Sequence, residues 1–303
     1  MRLIGIPRAM LYHYYKDLWL RFFDNLKCEV IISPETNKQI VALGNENCID
    51  EACYSSKIYI GHVAWLVNRC DMIFVPRMEN TAIKEDFCPR TFGLYDLVRN
   101  TFPKSKLLHA DTNYLYRKKE QDAYIKIGEQ LGKTKEESLA AYTDALDFYR
   151  KQKNTAVTEQ EELCKADGFK VLVVSHAYNT YDAVIGKSIV DYFDKAGVKV
   201  LFAEIIDSAK AKEWLRAKYG PRMYWKINAE LIAGVEYYKD YADGIVLIST
   251  FPCGPDSIFN EMIIRSEKEK PILNIMIDEL DATAGLMTRL ESFVDILETR
   301  RSL

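Results

Sequence analysis

The chain has 303 residues, a formal net charge of −3 and 48% hydrophobic residues, and its pI is about 5.9. This length predicts one large domain or two of ordinary size, with enough apolar residues to fill their cores. The slightly acidic balance excludes the basic surface of a nucleic-acid-binding protein or of a protein drawn to acidic membranes. No apolar run approaches the ~20 residues of a membrane span, and no signal-peptide pattern opens the sequence.

The seven cysteines also bear on location. They are odd in number and scattered, without the short spacings of a disulfide framework, in a chain large enough to fold without such links. We therefore expect a protein of the reducing cytoplasm.

In the first half, short apolar strands alternate with helical patterns. Strands are predicted at 3–6, 29–33, 72–76 and 106–109, and helices at 11–26, 35–42, 54–68 and 89–101. This alternation predicts a parallel, doubly wound α/β domain over residues 1–112.

Residues 113–167 have a different character, rich in Lys, Glu, Gln and Ala. The segment Thr134-Lys135-Glu136-Glu137 is a capping box, which predicts the start of a helix. Because the segment contains no proline and little glycine, it predicts a helical connector and not a flexible linker.

The second half, residues 168–303, repeats the alternation. Strands are predicted at 170–174, 198–202, 245–248 and 272–277. Gly197 is placed to end the helix that contains Ile185, Ile189 and Phe193. The predicted fold class is therefore α/β, with two parallel-sheet domains joined by the helical connector.

Three cysteines, Cys53, Cys88 and Cys253, each directly precede a predicted helix start. The positive end of a helix dipole favours a thiolate. Pro89 and Pro255 fit the first helical turn, where the missing N–H costs no hydrogen bond. Thiolates are the ligands that soft metals and iron–sulfur clusters need, and three of them would hold a cubane with one iron left open.

This hypothesis requires the three cysteines to converge, although they lie in different halves of the chain. Ligands of open α/β sheets bind at the carboxyl ends of the strands, where a cleft between two such domains could gather them. The alternative is that they are ordinary buried residues, which is the common fate of a free cysteine. We expect the same ordinary role for Cys28, Cys70 and Cys164, whereas Cys48 is a possible substitute ligand.

Other polar residues follow predicted strands of the second half. His176 ends one strand, with Tyr178 two residues later, and Glu279 and Arg289 lie in the 278–289 segment after the last strand. These four are the pocket candidates, although Arg289 could simply form a structural salt bridge with a nearby glutamate.

A histidine and a glycine-containing segment also resemble functional motifs, but the sequence favours structural roles for both. His62 lies inside a predicted helix and is expected to be a hydrogen-bonded structural histidine. Gly186-Lys187-Ser188 resembles a phosphate loop, but the glycine that such a loop needs five residues earlier is replaced by Tyr181.

Several segments together carry a family resemblance. They are Gly5-Ile6-Pro7-Arg8, Asp50-Glu51-Ala52-Cys53, Lys57 with Gly61-His62-Val63, Phe74-Val75-Pro76-Arg77, Cys88-Pro89, His176-Ala177-Tyr178-Asn179 with Asp182, Cys253-Gly254-Pro255, and Asp278-Glu279 followed by Ala284-Gly285-Leu286, Thr288-Arg289, Glu291 and Phe293. On these residues the chain resembles the 2-hydroxyacyl-CoA dehydratase and benzoyl-CoA reductase superfamily over essentially its full length. It is most similar to the stand-alone acyl-CoA dehydratase activase-related proteins.

The resemblance implies two Rossmann-like domains with a [4Fe-4S] cluster between them, held by Cys53, Cys88 and Cys253. A double-cubane variant occurs in one branch. Catalytic relatives are two-subunit enzymes of anaerobic metabolism, and they receive an electron from an ATP-dependent iron–sulfur activator protein of actin-like fold. This chain is shorter than the dehydratases and has none of the activator's nucleotide-binding sequences.

Two function classes follow. The first is a redox enzyme or subunit of the dehydratase or reductase type, acting on an acyl-CoA or another small molecule and forming homo- or hetero-oligomers. The alternative is a non-catalytic protein that relays electrons or serves as a scaffold for cluster assembly.

Overall fold

The computed structural model describes residues 2–80, 85–113, 116, 119–219, 225–279 and 283–301. The chain divides into two compact units. Unit 1 comprises Met1–Asn154 with Tyr224–Lys226, and unit 2 comprises Thr155–Met223 with Ile227–Leu303. Each unit is a mixed α/β structure with its own parallel sheet.

The described residues of unit 1 form six strands and seven helices, the last of which continues into unit 2. In chain order the elements are β1 (Leu3–Ile6), α1 (Tyr12–Asn25), β2 (Glu29–Ile32), α2 (Lys38–Asn47), α3 (Tyr54–Leu66), β3 (Met72–Phe74), β4 (Arg77–Asn80), α4 (Pro89–Phe92), α5 (Leu94–Thr101), β5 (Leu107–Leu108), β6 (Asp111–Asn113), α6 (Glu120–Gln130) and α7 (Lys135–Lys165). The boundary between the units falls within α7.

The main sheet of unit 1 has the order β2-β1-β3-β5, and all of its pairings are parallel. Its central strands are buried on both faces, since the adjacent residues Ile73 and Phe74 of β3 point to opposite faces and are both buried, as expected for a parallel sheet covered by helices. The polar strands β4 and β6, which the sequence did not predict, form a separate parallel pair.

Two glycines bring α2 and α3 together on unit 1. A Cβ at Gly44 would lie 2.3 Å from the Lys57 carbonyl oxygen, and one at Gly61 would lie 2.0 Å from the Ile40 carbonyl oxygen. The helices can therefore pack this closely only because both positions lack a side chain. This contact positions α3, whose first residue follows Cys53.

Unit 2 repeats the alternation. Its elements are β7 (Lys170–Val174), α8 (Ala177–Thr180), α9 (Lys187–Lys195), β8 (Lys199–Phe202), α10 (Ser208–Tyr219), α11 (Lys226–Tyr238), β9 (Gly244–Thr250), α12 (Gly254–Ser266), β10 (Ile272–Ile277) and α13 (Thr283–Arg301). The sheet order is β10-β9-β7-β8, again with parallel pairings throughout.

Both four-stranded sheets have the same topology. When the strands of each sheet are numbered along the chain, the spatial order is 2-1-3-4 in unit 1 and 4-3-1-2 in unit 2, which is the same order from the opposite edge. The eight predicted strands correspond to the eight strands of these sheets, with ends that shift by at most two residues.

Two predicted helix signals are confirmed. The Glu137 N–H donates to Thr134 Oγ1 at 3.1 Å, and the Thr134 N–H donates to a Glu137 carboxylate oxygen at 2.8 Å, which is a complete capping box. Gly197 ends α9 with a φ of 73°. None of the helices that the structure describes is both long enough and apolar enough to cross a bilayer.

Candidate functional site

The three predicted ligand cysteines occupy the same local position. Cys53 is the N-cap of α3, Cys88 is the N-cap of α4 and Cys253 is the N-cap of α12. None of the three side chains caps its own helix, and all three residues are half-buried. The predicted placement at helix starts is confirmed, and it puts each sulfur near the positive end of a helix.

The other four cysteines lie in surroundings that disfavour a thiolate. Burial raises the pKa of Cys70 to about 11. It also raises the pKa values of the remaining three thiols, those of Cys28, Cys48 and Cys164. Because the thiolate is the form that binds metals, these four sites are poorer ligand positions.

Within unit 1, the start of α3 lies near Cys48. After burial, the electrostatic influences on the Cys48 thiol include the positive charges of Lys57 and Arg90 and the neighbouring Cys53. Arg90 lies two residues after Cys88, so the starts of α3 and α4 both border this region. The Cys53 Sγ also lies 3.0 Å from the Ser56 Oγ.

In unit 2, the first turn of α12 carries a buried polar network. Asp256 Oδ1 lies 2.9 Å from His176 Nε2 and accepts a hydrogen bond of 2.8 Å from the Asn228 amide. All three residues are at most 5% exposed. Burial by itself raises the pKa of Asp256, but the positive charge of His176 and hydrogen bonds from His176, Asn228 and Cys253 lower it overall.

His176 has one uncommitted nitrogen. Its Nδ1 is buried and has no hydrogen-bond partner among the described residues. Tyr178 stacks on the imidazole, with ring centroids 4.7 Å apart and planes at 8°. A cavity of about 10 Å³ adjoins His176, Asn228 and Asp256, which is room for about one water molecule.

The remaining two pocket candidates, Glu279 and Arg289, also belong to unit 2. Arg289 is exposed and donates a hydrogen bond to the backbone oxygen of Asn274 on β10. Glu279 is exposed just beyond the end of β10. Residues 280–282 of the predicted segment lie outside the described residues.

His62 is a structural histidine, as predicted. Its Nδ1 lies 2.8 Å from the Ser33 Oγ, and its Nε2 lies 3.0 Å from the Thr36 Oγ1, so both ring nitrogens have partners. Burial, followed by the charges of His13 and Arg8, lowers its pKa to about 3. The ring is therefore neutral and joins α3 to the loop after β2.

Gly186 is not part of a phosphate loop. It is the N-cap of α9, and a Cβ there would lie 2.6 Å from the Asn179 carbonyl oxygen. The glycine is needed because the chain passes close to α8. This agrees with the sequence, in which Tyr181 replaces a glycine that a phosphate loop requires.

Sequence reasoning missed Asp256 and Asn228. Asp256 had a partial signal, since it lies three residues after the N-cap cysteine of a predicted helix, where a side chain points back to the helix start. Its partner His176 is 80 residues away along the chain, and no local pattern specifies that contact.

The described residues were also compared with the requirements of a metal site. Among the described residues, no group of three or more His, Cys, Asp and Glu side chains is arranged to hold a metal ion. The sites therefore offer individual donors at helix starts and a histidine–aspartate pair.

The fold and these sites define an α/β protein with two four-stranded parallel sheets and with a cysteine at the start of each of three helices. The family model described as "CoA enzyme activase uncharacterised domain" matches residues 3–206, which is more than half of the chain. The protein belongs to this family. The matched region includes Cys53, Cys88 and His176, whereas Cys253 and Asp256 lie beyond it.

The chain was also compared with curated proteins and with solved structures. No curated protein matches the chain. Solved structures with some likeness include a Zn(II)-bound variant of AdcAII from Streptococcus pneumoniae, with 12% identity, 98% of each chain covered and a TM-score of 0.31. Another is FpvC from Pseudomonas aeruginosa in complex with Mn²⁺, with 11% identity, 98% of this chain and 97% of that chain covered, and a TM-score of 0.29. These scores are too low to support any statement about this protein.

Proposed function

We propose that this protein binds an iron–sulfur cluster through Cys53, Cys88 and Cys253, and that it works as a redox enzyme or subunit related to the 2-hydroxyacyl-CoA dehydratases. The cluster would be a [4Fe-4S] cubane or a double-cubane variant. Such a group supplies one-electron chemistry, and an iron without a protein ligand can bind a small oxygen- or nitrogen-containing molecule.

The observation that carries this proposal is the difference between the two sets of cysteines. Cys53, Cys88 and Cys253 are N-caps whose sulfurs are not used for capping. The other four have thiol pKa values raised by burial. The first set fits a soft metal, because its sulfurs lie at helix starts that favour the thiolate.

Three further observations support the remaining parts of the proposal. Strands in the order 2-1-3-4 support two Rossmann-like domains, 1–112 and 168–303, joined by the helical segment 113–167. The seven free cysteines support a reducing cytoplasm. Membership in a family named for a CoA enzyme activase supports an ATP-dependent activator of actin-like fold as electron donor, in a homo- or hetero-oligomer.

A second candidate function is electron relay or scaffolding of cluster assembly without catalysis. The cavity next to His176 favours it, because a volume of about 10 Å³ admits about one water molecule and no larger substrate. In this case the His176–Asp256 pair would support Cys253 without contacting a substrate.

The test is anaerobic purification followed by iron and acid-labile sulfide analysis and by EPR after reduction. A cubane gives about four iron and four sulfide per chain. Replacing Cys53, Cys88 or Cys253 with Ser should remove most of the iron, whereas Cys28→Ser should leave it unchanged. Cys48→Ser tests the substitute ligand next to Cys53.

Iron content that stays the same in all three ligand variants would contradict the proposed ligand set. To separate the two candidate functions, small molecules would be added to the reduced protein during EPR. Perturbation of the signal indicates an accessible iron and supports the enzyme, and an unchanged signal supports the relay.

A further inference from the structure

Unit 1 contains an open cleft whose lining includes none of the proposed ligand cysteines. The cleft lies between the end of α1 and the start of α7, and its volume is about 390 Å³, which is the size of a small-molecule site. Leu26 and Ala141 line it, and both are at most 6% exposed. The cleft therefore has room for a ligand, and part of its wall is apolar.

The carboxylates of the cleft are already used within the protein. Asp144 Oδ2 accepts hydrogen bonds from Arg21 Nε at 2.7 Å and from Asn25 Nδ2 at 2.8 Å. A carboxylate oxygen of Glu137 accepts from the Thr134 N–H in the capping box. Both negative charges are therefore compensated, one by a guanidinium group and the other by the positive end of α7.

Two positive side chains of the cleft have no such compensation. Lys27 and Lys133 also line it, and neither ammonium group forms a hydrogen bond or an ion pair with another of the described residues. The cleft thus presents two cations beside an apolar wall. Lysine binds phosphate and carboxylate oxygens as a point charge, so this lining suits an organic anion.

The backbone at Lys27 independently indicates that its side chain has a use. Lys27 follows Leu26, the C-cap of α1, and has a φ of 58°, in the left-handed region where a helix end favours glycine. The Lys27 N–H donates to the Asp24 carbonyl oxygen at 2.8 Å. The Cys28 N–H donates to the Phe23 carbonyl oxygen at 2.9 Å, which completes a Schellman motif. A side chain here strains the backbone, and such strain is typically retained where the residue has a function.

We propose that this cleft binds a small organic anion, with Lys27 and Lys133 contacting its phosphate or carboxylate group and the apolar wall contacting the remainder. The inference goes beyond the proposed function and does not depend on an iron–sulfur cluster, because it involves other residues. The lysines select a negative charge, and the wall formed by Leu26 and Ala141 selects an organic ligand over an inorganic ion.

The test is titration calorimetry of the purified full-length protein at low ionic strength, with butyl phosphate, butanoate and inorganic phosphate as probes. We expect saturable binding of an organic probe, and the tighter of the two identifies the anionic group. Inorganic phosphate has no apolar part and should bind more weakly than butyl phosphate. Added salt should weaken the binding, since Lys27 is exposed and Lys133 is half-exposed.

Two variants test the lysines directly. Lys27→Gly and Lys133→Gln should each weaken the binding about tenfold, through the loss of one hydrogen bond to a charged group. Lys27→Gly also relieves the strained backbone, so its unfolding temperature should not fall below that of the parent protein. The matched control is Lys151→Gln, which removes the same charge from an exposed position on α7 outside the cleft and should leave the binding unchanged.

Three results would overturn the inference. The first is a parent protein that binds neither organic probe saturably. The second is equal weakening by Lys27→Gly and Lys151→Gln, because binding would then follow overall charge and not the cleft. The third is a Lys27→Gly variant that unfolds at a lower temperature and binds as the parent does, because the side chain would then have a structural role only.

Discussion

The two units share a sheet topology but use their buried histidines differently. His62 in unit 1 and His176 in unit 2 are 0% and 5% exposed. His62 has hydroxyl partners on both nitrogens, which is the arrangement of a neutral structural ring. His176 has a carboxylate on one nitrogen and no described partner on the other. Burial is therefore common to the two histidines, whereas their hydrogen-bond partners differ.

The largest contrast between the units is in the burial of their hydrogen-bonded side-chain pairs. His176–Asp256 is buried, whereas Arg21–Asp144 in unit 1, at 2.7 Å, is largely exposed. Asp256→Ala leaves both His176 and Asn228 buried without their acceptor, and leaving two buried polar groups unsatisfied costs about 2–6 kcal/mol.

The free energy of unfolding measured in urea should fall by that amount, with hydrogen exchange increasing around α11 and α12. Asp144→Ala is the control and should have a much smaller effect, because exposed pairs contribute little. Similar losses for the two variants would contradict the distinction between the pairs.

Each unit has a glycine that lies against a backbone carbonyl oxygen, and we expect a side chain at either position to destabilise the protein by a similar amount. A Cβ at Gly61 would lie 2.0 Å from the Ile40 carbonyl oxygen, and one at Gly234 would lie 1.9 Å from the Ala203 carbonyl oxygen. We expect Gly61→Ala and Gly234→Ala each to cost about 3 kcal/mol, the upper end for overpacking.

Gly254→Ala is the control, since nothing lies within 4 Å of its added Cβ. Thermal unfolding of the three variants checks this prediction. A tolerated Gly61→Ala would show that α2 and α3 can separate without loss.

Much of this fold could be predicted because its signals are local. The apolar run 170–174, the capping box at Thr134 and the cap at Gly197 each depend on residues within a few positions of one another. The helix start of α2 was predicted at residue 35, but it falls at Lys38 because the Asn37 side chain accepts from the N–H groups of Gln39 and Ile40.

The unpredicted features depend on contacts that are distant along the chain. Strands β4 and β6 have the sequences RMEN and DTN, without an apolar pattern, and are stabilised by pairing with each other. Asp256 likewise has its role only through His176 and Asn228. The cysteines at helix starts were predictable, whereas their convergence remains a prediction.

The pH dependence of stability tests whether the His62 imidazole in unit 1 is neutral in the folded protein. Its pKa is about 3 in the folded protein and about 6.5 in an unfolded chain. Below pH 6.5 the unfolded chain binds a proton that the folded chain does not, so stability is full above pH 6.5 and decreases as the pH falls. The loss should be roughly 2 kcal/mol by pH 5.

His13, whose pKa burial lowers to about 4, contributes a loss of the same sign. Urea unfolding at a series of pH values should therefore show a weaker pH dependence for His62→Gln than for the parent. An unchanged slope would mean that the His62 ring is protonated in the folded protein.

The smallest expected effect compares one helix cap in each unit. Asn37 Oδ1 accepts from the Gln39 and Ile40 N–H groups at 2.9 Å and 3.2 Å at the start of α2. Asp207 Oδ1 accepts from the Ala209 and Lys210 N–H groups at 3.0 Å and 2.8 Å at the start of α10. Each loses both hydrogen bonds when replaced by Ala, so Asn37→Ala and Asp207→Ala should each cost about 1 kcal/mol.

Hydrogen exchange measured by mass spectrometry resolves the two helices. Exchange should rise in α2 for the first variant and in α10 for the second, with little change in the other helix. If α2 opens much more than α10, the cap of α2 also supports its close contact with α3, and the start of α3 at Cys53 would depend on that cap. If both helices open equally, the caps act locally, and the start of α3 at Cys53 does not depend on the cap of α2.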